Sequence, residues 1–297
     1  MRRYLVIANA HAGRVEREAL DAAVGVLSAA GPTEVHMSTD AAALDAALTG
    51  LDGRIPVVAG GDGSLHLVVN RLRRAGRLDQ VTLGLLPLGT GNDFARAARV
   101  PLDPLAAAVA LTTARPRRFD LLEDDTGRVV VNAAHAGLGA EAAAAAADHK
   151  PRLGALAYPL GALLAGLREE GWVLRVSVDG TPYAIGERLL MVGVANGPTI
   201  GGGTPLCPMA RADDGRLDVV VVAAVGPAAR VGFAAALRVG THLDRDDVHH
   251  LRGTRVQVSG EPVRHNVDGE LDGEVTDRGY LVLPGAWSLL VPDAPAS

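Results

Sequence analysis

Cysteine is all but missing. Cys207 stands alone among 297 residues, which rules out an internal disulfide and suits a reducing interior. Lysine is equally scarce: Lys150 is the single one, so 28 of the 29 basic residues are arginine. No glycine loop therefore carries Gly-Lys-Ser or Gly-Lys-Thr, and the P-loop route to phosphate binding is excluded. Any phosphate chemistry has to rest on main-chain N–H groups, Mg²⁺ and arginine. Excess positive charge is also lacking, and a formal net charge of −5 argues against a nucleic-acid partner. No apolar run approaches the ~20 residues of a membrane span. The apolar part of the opening, Tyr4 to Ala8, is too short for a signal-peptide core. The expectation is a soluble cytoplasmic protein. His249-His250 and the other histidines lack metal-ligand spacing, Cys207 has no partner along the chain, and Ser64 lacks the following glycine of a nucleophile elbow. Zinc and hydrolase chemistry are set aside on these grounds.

What is present divides into two characters. The length allows two domains at roughly 150 residues each, and a hydrophobic content of 48% supports a sizeable core. Disorder is expected only in the tail from Pro292 to Ser297. The first part alternates strand and helix. Leu5 to Ala8 reads as a strand leading into Asn9-Ala-His-Ala-Gly13, with a helix over Val15 to Ala29. Glu34 to Ser38 is a second strand, and Asp40 to Leu48 a second helix. Ile55 to Ala59 is a short β-branched run of the kind buried in parallel sheets. It meets Gly60-Gly61-Asp62-Gly63-Ser64, then a helix over Leu65 to Arg74. Paired glycines allow positive φ and close approach to a ligand, Ser64 can cap the helix, and its free N–H groups can seat an anion. Asp62, the one charge in the turn, would work beside phosphates through Mg²⁺. Leu83 to Leu88 repeats the pattern, ending in Gly89-Thr90-Gly91-Asn92-Asp93 ahead of a helix that Asn92 or Asp93 can cap, with Arg96 and Arg99 nearby. A plain tight turn explains either loop alone; two at successive strand ends point to nucleotide phosphates. Arg71, Arg73, Arg74 and Arg77 read as a solvated helix end, with an anionic membrane surface as the other reading.

After a helix over Asp103 to Thr113 the chain becomes a series of short β-type runs. These are Phe119 to Leu122, Val129 to Ala133, Val173 to Val178, Leu189 to Ala195, Leu217 to Ala223, Arg255 to Ser259, Arg264 to Val267 and Tyr280 to Leu283. They predict an antiparallel, sandwich-like second domain. The division is placed at residues 1–117 and 118–297, with a return of the last strand to the first domain left open. Gly137-Leu-Gly139-Ala-Glu-Ala imitates a dinucleotide fingerprint, but lacks the acid about 20 residues on and reads as a structural turn. Helices over Ala140 to Ala147 and Leu153 to Leu167 read as cover for the sheet; with Tyr158 and Leu160 they offer an apolar slot for a lipid. Arg211 to Asp218 carries three acids in what reads as an exposed turn entering the Leu217 strand. Asp268-Gly269-Glu270 places two carboxylates on a strand-end turn, where one can act as a general base or both lie in solvent.

GGDGS followed about 25 residues later by LGTGNDFAR resembles the diacylglycerol kinase catalytic-domain family, which holds bacterial lipid kinases and sphingosine kinases. NAHAG resembles that family's first nucleotide loop. Asn196-Gly197 to Gly203 with Pro208-Met209-Ala210 resembles its Asn-Gly…Gly-Gly-Gly segment. The resemblance spans Leu5 to Val291. It departs at Ser64, where the family has threonine, and at Leu65-His66-Leu67, where the family has an acid. It implies an α/β domain with a parallel-sheet nucleotide-binding core, a β-rich domain, and an active site in the cleft between them. It further implies ATP across Asn9, Gly13, Thr39, Gly60 to Ser64, His66, Gly89, Thr90 and Asn92, and Mg²⁺ held by Asp214 with the carbonyls of Arg211 and Arg216. Glu270 is the implied proton acceptor with Asp268 orienting it, or the reverse. The function implied is transfer of the ATP γ-phosphate to a lipid hydroxyl at a membrane surface, the lipid itself unnamed. A homodimer is left open. Two other readings remain: a kinase resembling NAD kinases, whose Thr-Gly-Ser/Thr-Ala-Tyr pattern is absent here, and a catalytically silent nucleotide or lipid sensor.

Overall fold

The computed structural model describes residues 1–10, 13–138, 140, 171–183, 188–223 and 226–293. The expected lipid slot at Tyr158 and Leu160, the helices around it, and the last residues of the tail lie outside them. The chain divides into two compact units, Met1–Leu121 with the segment from Pro284, and Leu122–Leu283.

In the first unit, β1 (Tyr4–Asn9), β2 (Thr33–Ser38), β3 (Ile55–Gly60) and β4 (Thr82–Pro87) are parallel, in the order β2-β1-β3-β4. They are linked by α1 (Arg14–Ala30), α2 (Ala41–Thr49) and α3 (Asp62–Arg74), and followed by α4 (Asp93–Ala97) and α5 (Pro104–Thr113). Val57, Val58 and Ala59 are all buried, because a parallel sheet covered on both faces has no solvent side and the run cannot alternate. Helix α1 buries Leu20, Ala23 and Leu27, one stripe of a 3.6-residue period. Asp40 and Asp103 accept the Ala43 and Ala106 amides at 2.9 and 2.8 Å, starting α2 and α5 where free N–H groups need an acceptor. The chain returns to this unit at its end: Ser288 and Leu289 pair in parallel with Thr82 and Leu83. Trp287 is fully buried there, its ring centroid 5.0 Å from Phe94 and 5.9 Å from Phe119. Its Nε1 donates to the Asp120 carbonyl at 3.2 Å.

The second unit is antiparallel throughout its described pairings. Entering from β5 (Arg115–Asp124), it contains β6 (Val129–Val130), β7 (Ala133–Gly137), β8 (Trp172–Val178), β9 (Thr181–Tyr183), β10 (Arg188–Leu189), β11 (Met191–Ala195) and β12 (Leu217–Val222). Helix α6 (Pro227–Val239), β13 (Val248–Gly253), β14 (Arg255–Val267) and β15 (Glu270–Val291) complete it. Strands run β13-β12-β11-β7-β14, with β8 and β15 also paired to β14. Three sequence boundaries are corrected. The two runs Arg255 to Ser259 and Arg264 to Val267 are one strand whose register slips between Ser259 and Val263, since Gly260-Glu261-Pro262 breaks the apolar period without ending the ladder. Tyr280 to Leu283 is the middle of a 22-residue strand, with Tyr280 and Val282 buried. The run Val129 to Ala133 is interrupted after Val130, because the following main-chain amides bond to a side chain. Among the described residues, no helix is long and apolar enough to cross a membrane.

Two histidines are held neutral in this unit. Burial, with His265 nearby, pushes His135 on β7 down to about 4. Burial and then the Arg278 charge push His265 on β14 down to about 4, from an ordinary 6.5. Both folded values lie below the unfolded one. The stabilisation is therefore complete above 6.5 and is lost as pH falls toward 4, where the unfolded chain binds protons that the fold excludes. The melting temperature is expected to drop across that window and to drop less in His135→Gln. A flat profile in the unsubstituted chain would show that these rings do not govern acid stability.

Candidate active site

Strand register builds the first half of the site. Ala8 lies opposite Ala59, Asn9 opposite Ser38, and Gly60 opposite Pro87. All four parallel strands thus end on one edge, the carboxyl edge where open α/β sheets take ligands. Asn9, Thr39, Gly60 to Ser64 and Gly89 to Asn92 are brought together there. Gly13 is the N-cap of α1, its amide donating to Glu16 Oε2 at 2.8 Å. His66 is 2% exposed in the second turn of α3, with Nε2 3.4 Å from Asn70 Nδ2.

The glycine turn differs from its sequence reading in two respects. Helix α3 begins at Asp62, with Gly61 as its N-cap, so Ser64 lies inside the first turn and does not cap. Nor does any glycine of the turn adopt positive φ; what the site requires is proximity. A Cβ on Gly60 would stand 2.4 Å from Ser64 Oγ, and one on Gly89 would stand 2.4 Å from the Gly61 Cα. The two loops touch main chain to main chain, which a side chain would prevent.

Asp62 holds them in that contact. Its Oδ2 and Oδ1 accept the amides of Asp93 and Phe94, each at 3.0 Å. The carboxylate of the first loop caps the helix opened by the second, a charge-assisted pairing at a positive helix end. The carboxylate expected beside Mg²⁺ is engaged here by two main-chain amides. That bonding corrects the capping role given to Asn92 or Asp93. Asn92 takes the N-cap position with φ 55°, but its side chain turns back on Gly89, donating to the carbonyl at 2.6 Å and accepting the amide at 3.2 Å. With α4 satisfied in this way, the N–H groups that could hold an anion are those at the start of α3, where Gly63 faces open space and a helix's first N–H groups lack intrahelical partners. The exposed Thr90 hydroxyl lies at the rim. Of the basic run, Arg71 pairs with Asp45 at 2.9 Å and Arg77 donates to the Leu48 carbonyl at 2.6 Å. These two hold α3 to α2, while Arg73 and Arg74 are exposed.

In the second unit, Asp268 and Gly269 form the two-residue turn between β14 and β15, with φ 49° and 91°. Positive φ at both positions is the hairpin turn that Asp-Gly favours. The two acids have different partners. Asp268 Oδ2 accepts the Val131 amide at 2.6 Å, and its Oδ1 accepts those of Asn132 and Ala133 at 2.8 and 3.0 Å. Those three bonds are what interrupt the run after Val130. Glu270 is exposed, with Arg128 3.7 Å from Oε2. Asn132 and Asn196, both buried, extend this network. The Asn196 side chain donates to the Val131 carbonyl at 2.7 Å, and the Asn196 and Gly197 amides donate to the Asn132 carbonyl at 2.8 and 2.9 Å. The Asn132 contribution was missed in sequence; an asparagine interrupting Val129-Val130-Val131 was its only signal. The following Gly201, Gly202 and Gly203 have φ of 59°, 91° and 106°, closing a turn whose ends, Ile200 and Thr204, bridge each other.

The Asp214 turn offers oxygen donors. The carbonyls of Arg211 and Arg216 flank the Asp214 carboxylate along the turn, and the Arg211 guanidinium turns away to Asp213 at 3.2 Å. Asp214 Oδ1 accepts the Arg216 amide at 3.1 Å, and its Oδ2 pairs with Arg252. One carboxylate and two carbonyls are oxygen donors of the kind a hard cation such as Mg²⁺ takes.

A parallel sheet with clamped glycine loops at its carboxyl edge, followed by an antiparallel unit carrying an acidic hairpin turn, defines a class of phosphotransferase folds. Residues 3–123 match the diacylglycerol kinase catalytic domain, and residues 132–291 the YegS C-terminal NAD kinase beta sandwich-like domain. A "Probable lipid kinase YegS-like" protein of Pseudomonas aeruginosa is 37% identical over 241 residues, covering 80% of this chain and 76% of that one. One of Stenotrophomonas maltophilia is 34% identical over 224 residues, covering 72% and 71%. A crystal structure of a diacylglycerol kinase from Bacillus anthracis str. Sterne shares the fold, with TM-score 0.80, 23% identity and 99% of each chain covered. The chain belongs to the YegS-like lipid kinase family, within the diacylglycerol kinase catalytic-domain group.

Proposed function

We propose that the protein transfers the γ-phosphate of ATP to the hydroxyl of a membrane lipid, with Mg²⁺ required. The observation that carries this reading is the clamp: Asp62 bonded across to Asp93 and Phe94 fixes two glycine loops at the carboxyl edge of a parallel sheet. Phosphoryl transfer asks a protein mainly for such positioning and for charge stabilisation. In this reading the α3 N-terminus and the loops at Asn9, Thr39, Gly89 and Thr90 hold the nucleotide. Glu270 takes the proton of the attacking alcohol, whose oxygen bonds to the γ-phosphorus as the bond to ADP breaks. Asp268 fixes the turn that presents Glu270. Asp214 with the Arg211 and Arg216 carbonyls would hold Mg²⁺, which would supply charge and local rigidity to that loop. The exposed Arg73 and Arg74 favour an anionic lipid surface.

The test is a kinase assay of the full chain with γ-labelled ATP, with and without Mg²⁺. Acceptors are diacylglycerol, phosphatidylglycerol and a sphingoid base in mixed micelles, with NAD as comparison. Label is expected in one or more lipids, only with Mg²⁺, and not in NAD. Label in NAD alone, or ATP binding with no transfer, would overturn the proposal in favour of an NAD kinase-like enzyme or a silent sensor.

A further inference from the structure

Zinc chemistry was set aside in the sequence because the histidines lack metal-ligand spacing and Cys207 has no partner along the chain. The fold reverses that reading. Asp218 on β12 pairs with Arg252 of β13, and Val220 pairs with His250. Asp218 and His250 are therefore diagonal neighbours on one face, since side chains two apart on a strand share a face. Cys207 reaches them from the segment after the glycine turn, anchored by its amide to the Pro198 carbonyl at 3.1 Å. The sulfur, a carboxylate oxygen and an imidazole nitrogen all lie within 4.8 Å of one another.

A second observation concerns Asp218. The residue is 1% exposed. Its Oδ1 is taken by His250 Nε2 at 2.7 Å and Arg252 Nε at 3.1 Å. Its Oδ2 is buried and has no partner among the described residues. A buried carboxylate oxygen without a partner destabilises the fold, and a cation removes that penalty.

We propose that Cys207, Asp218 and His250 form a site for a borderline divalent metal, of which Zn²⁺ is the natural occupant. Thiolate, imidazole and carboxylate on one ion are the donor set that favours Zn²⁺ over Mg²⁺. Metal–donor distances of about 2.0–2.3 Å are compatible with donors as close as these. A zinc ion here would tie the loop before β12 to the β12–β13 pair. This site is distinct from the oxygen-only turn at Asp214. Burial, with the Asp218 charge beside it, pushes the metal-free Cys207 thiol up to about 12; the bound cation would displace that proton to solvent, since a coordinating thiol is deprotonated.

Because Cys207 is the only cysteine, one spectral band reports on this site alone. The full chain, reduced and stripped of metal, is titrated with Co²⁺. A thiolate-to-cobalt charge-transfer band is expected, saturating at one ion per chain, abolished by stoichiometric Zn²⁺ and unmoved by a large excess of Mg²⁺. Cys207→Ser should remove the band without changing the circular dichroism. His250→Gln keeps the thiol and should weaken Co²⁺ binding by about tenfold or more, and it carries the test if the serine variant fails to fold. No band in the unsubstituted chain, a band surviving in Cys207→Ser, or unchanged affinity in His250→Gln would overturn the site. None of these outcomes bears on the lipid kinase reading, because none of the three residues belongs to the machinery proposed for it.

Discussion

Glu270→Gln is expected to lower turnover by ~10²–10⁴-fold while leaving the melting temperature unchanged. The amide preserves the shape of the side chain and removes only its capacity to accept a proton. Glu270 is exposed, and its nearest described cation is Arg128 at 3.7 Å, so little folding energy depends on its charge. Asp268→Asn should behave differently. Replacing a carboxylate that accepts three main-chain amides with a group that is itself half donor leaves one or more of them unpaired. A loss of about 1–3 kcal/mol in stability is expected, together with a fall in turnover as the turn shifts. Steady-state kinetics at saturating ATP and lipid, with thermal melts of both variants, separate the two roles. A Glu270→Gln enzyme at full turnover would exclude Glu270 as the base.

Gly89→Ala tests the contact between the loops. The added methyl would stand 2.4 Å from the Gly61 Cα and 3.1 Å from both the Gly61 nitrogen and Asn92 Oδ1. Two of these three neighbours are main chain, so no side-chain rotation relieves the clash. The loops must separate, and the Asp62 bonds to Asp93 and Phe94 must lengthen or break. Misplacement of reacting groups by about 1 Å costs ~10²-fold, and a loss of that size in kcat/KM for ATP is the expected result. Gly63→Ala is the control. Its Cβ position is open, and alanine suits a helix better than glycine does, so the fold should hold while any effect on activity reports a ligand passing that point. If Gly89→Ala binds and turns over ATP normally, the contact plays no part in nucleotide binding.

The sequence reveals most of the first unit. Its β-branched runs, their glycine ends and the apolar stripes of α1 and α3 are local patterns set by burial on two faces or one. The structure moves their boundaries by a residue or a few. The second unit is less legible. A bulge, a two-residue turn and a side chain that interrupts a strand all break the period-two pattern without ending the sheet. Asp62 shows the same limit within the site. A lone acid in a glycine turn has the same local signature whether it faces a cation or caps a helix, and the amides that decide it lie 31 and 32 residues away.

What the sequence by itself determined is the set of short-range requirements: glycine loops without lysine at strand ends, an acidic strand-end turn, and an antiparallel second half. Each follows from backbone sterics or from a pattern a few residues long. What only the tertiary structure decided is the use made of the polar side chains. It turned Asp62 toward a helix end and Asp268 toward amides 135 to 137 residues away, and it gathered Cys207, Asp218 and His250. A buried charge needs partners in space, and strand pairing brings together residues that no spacing along the chain connects.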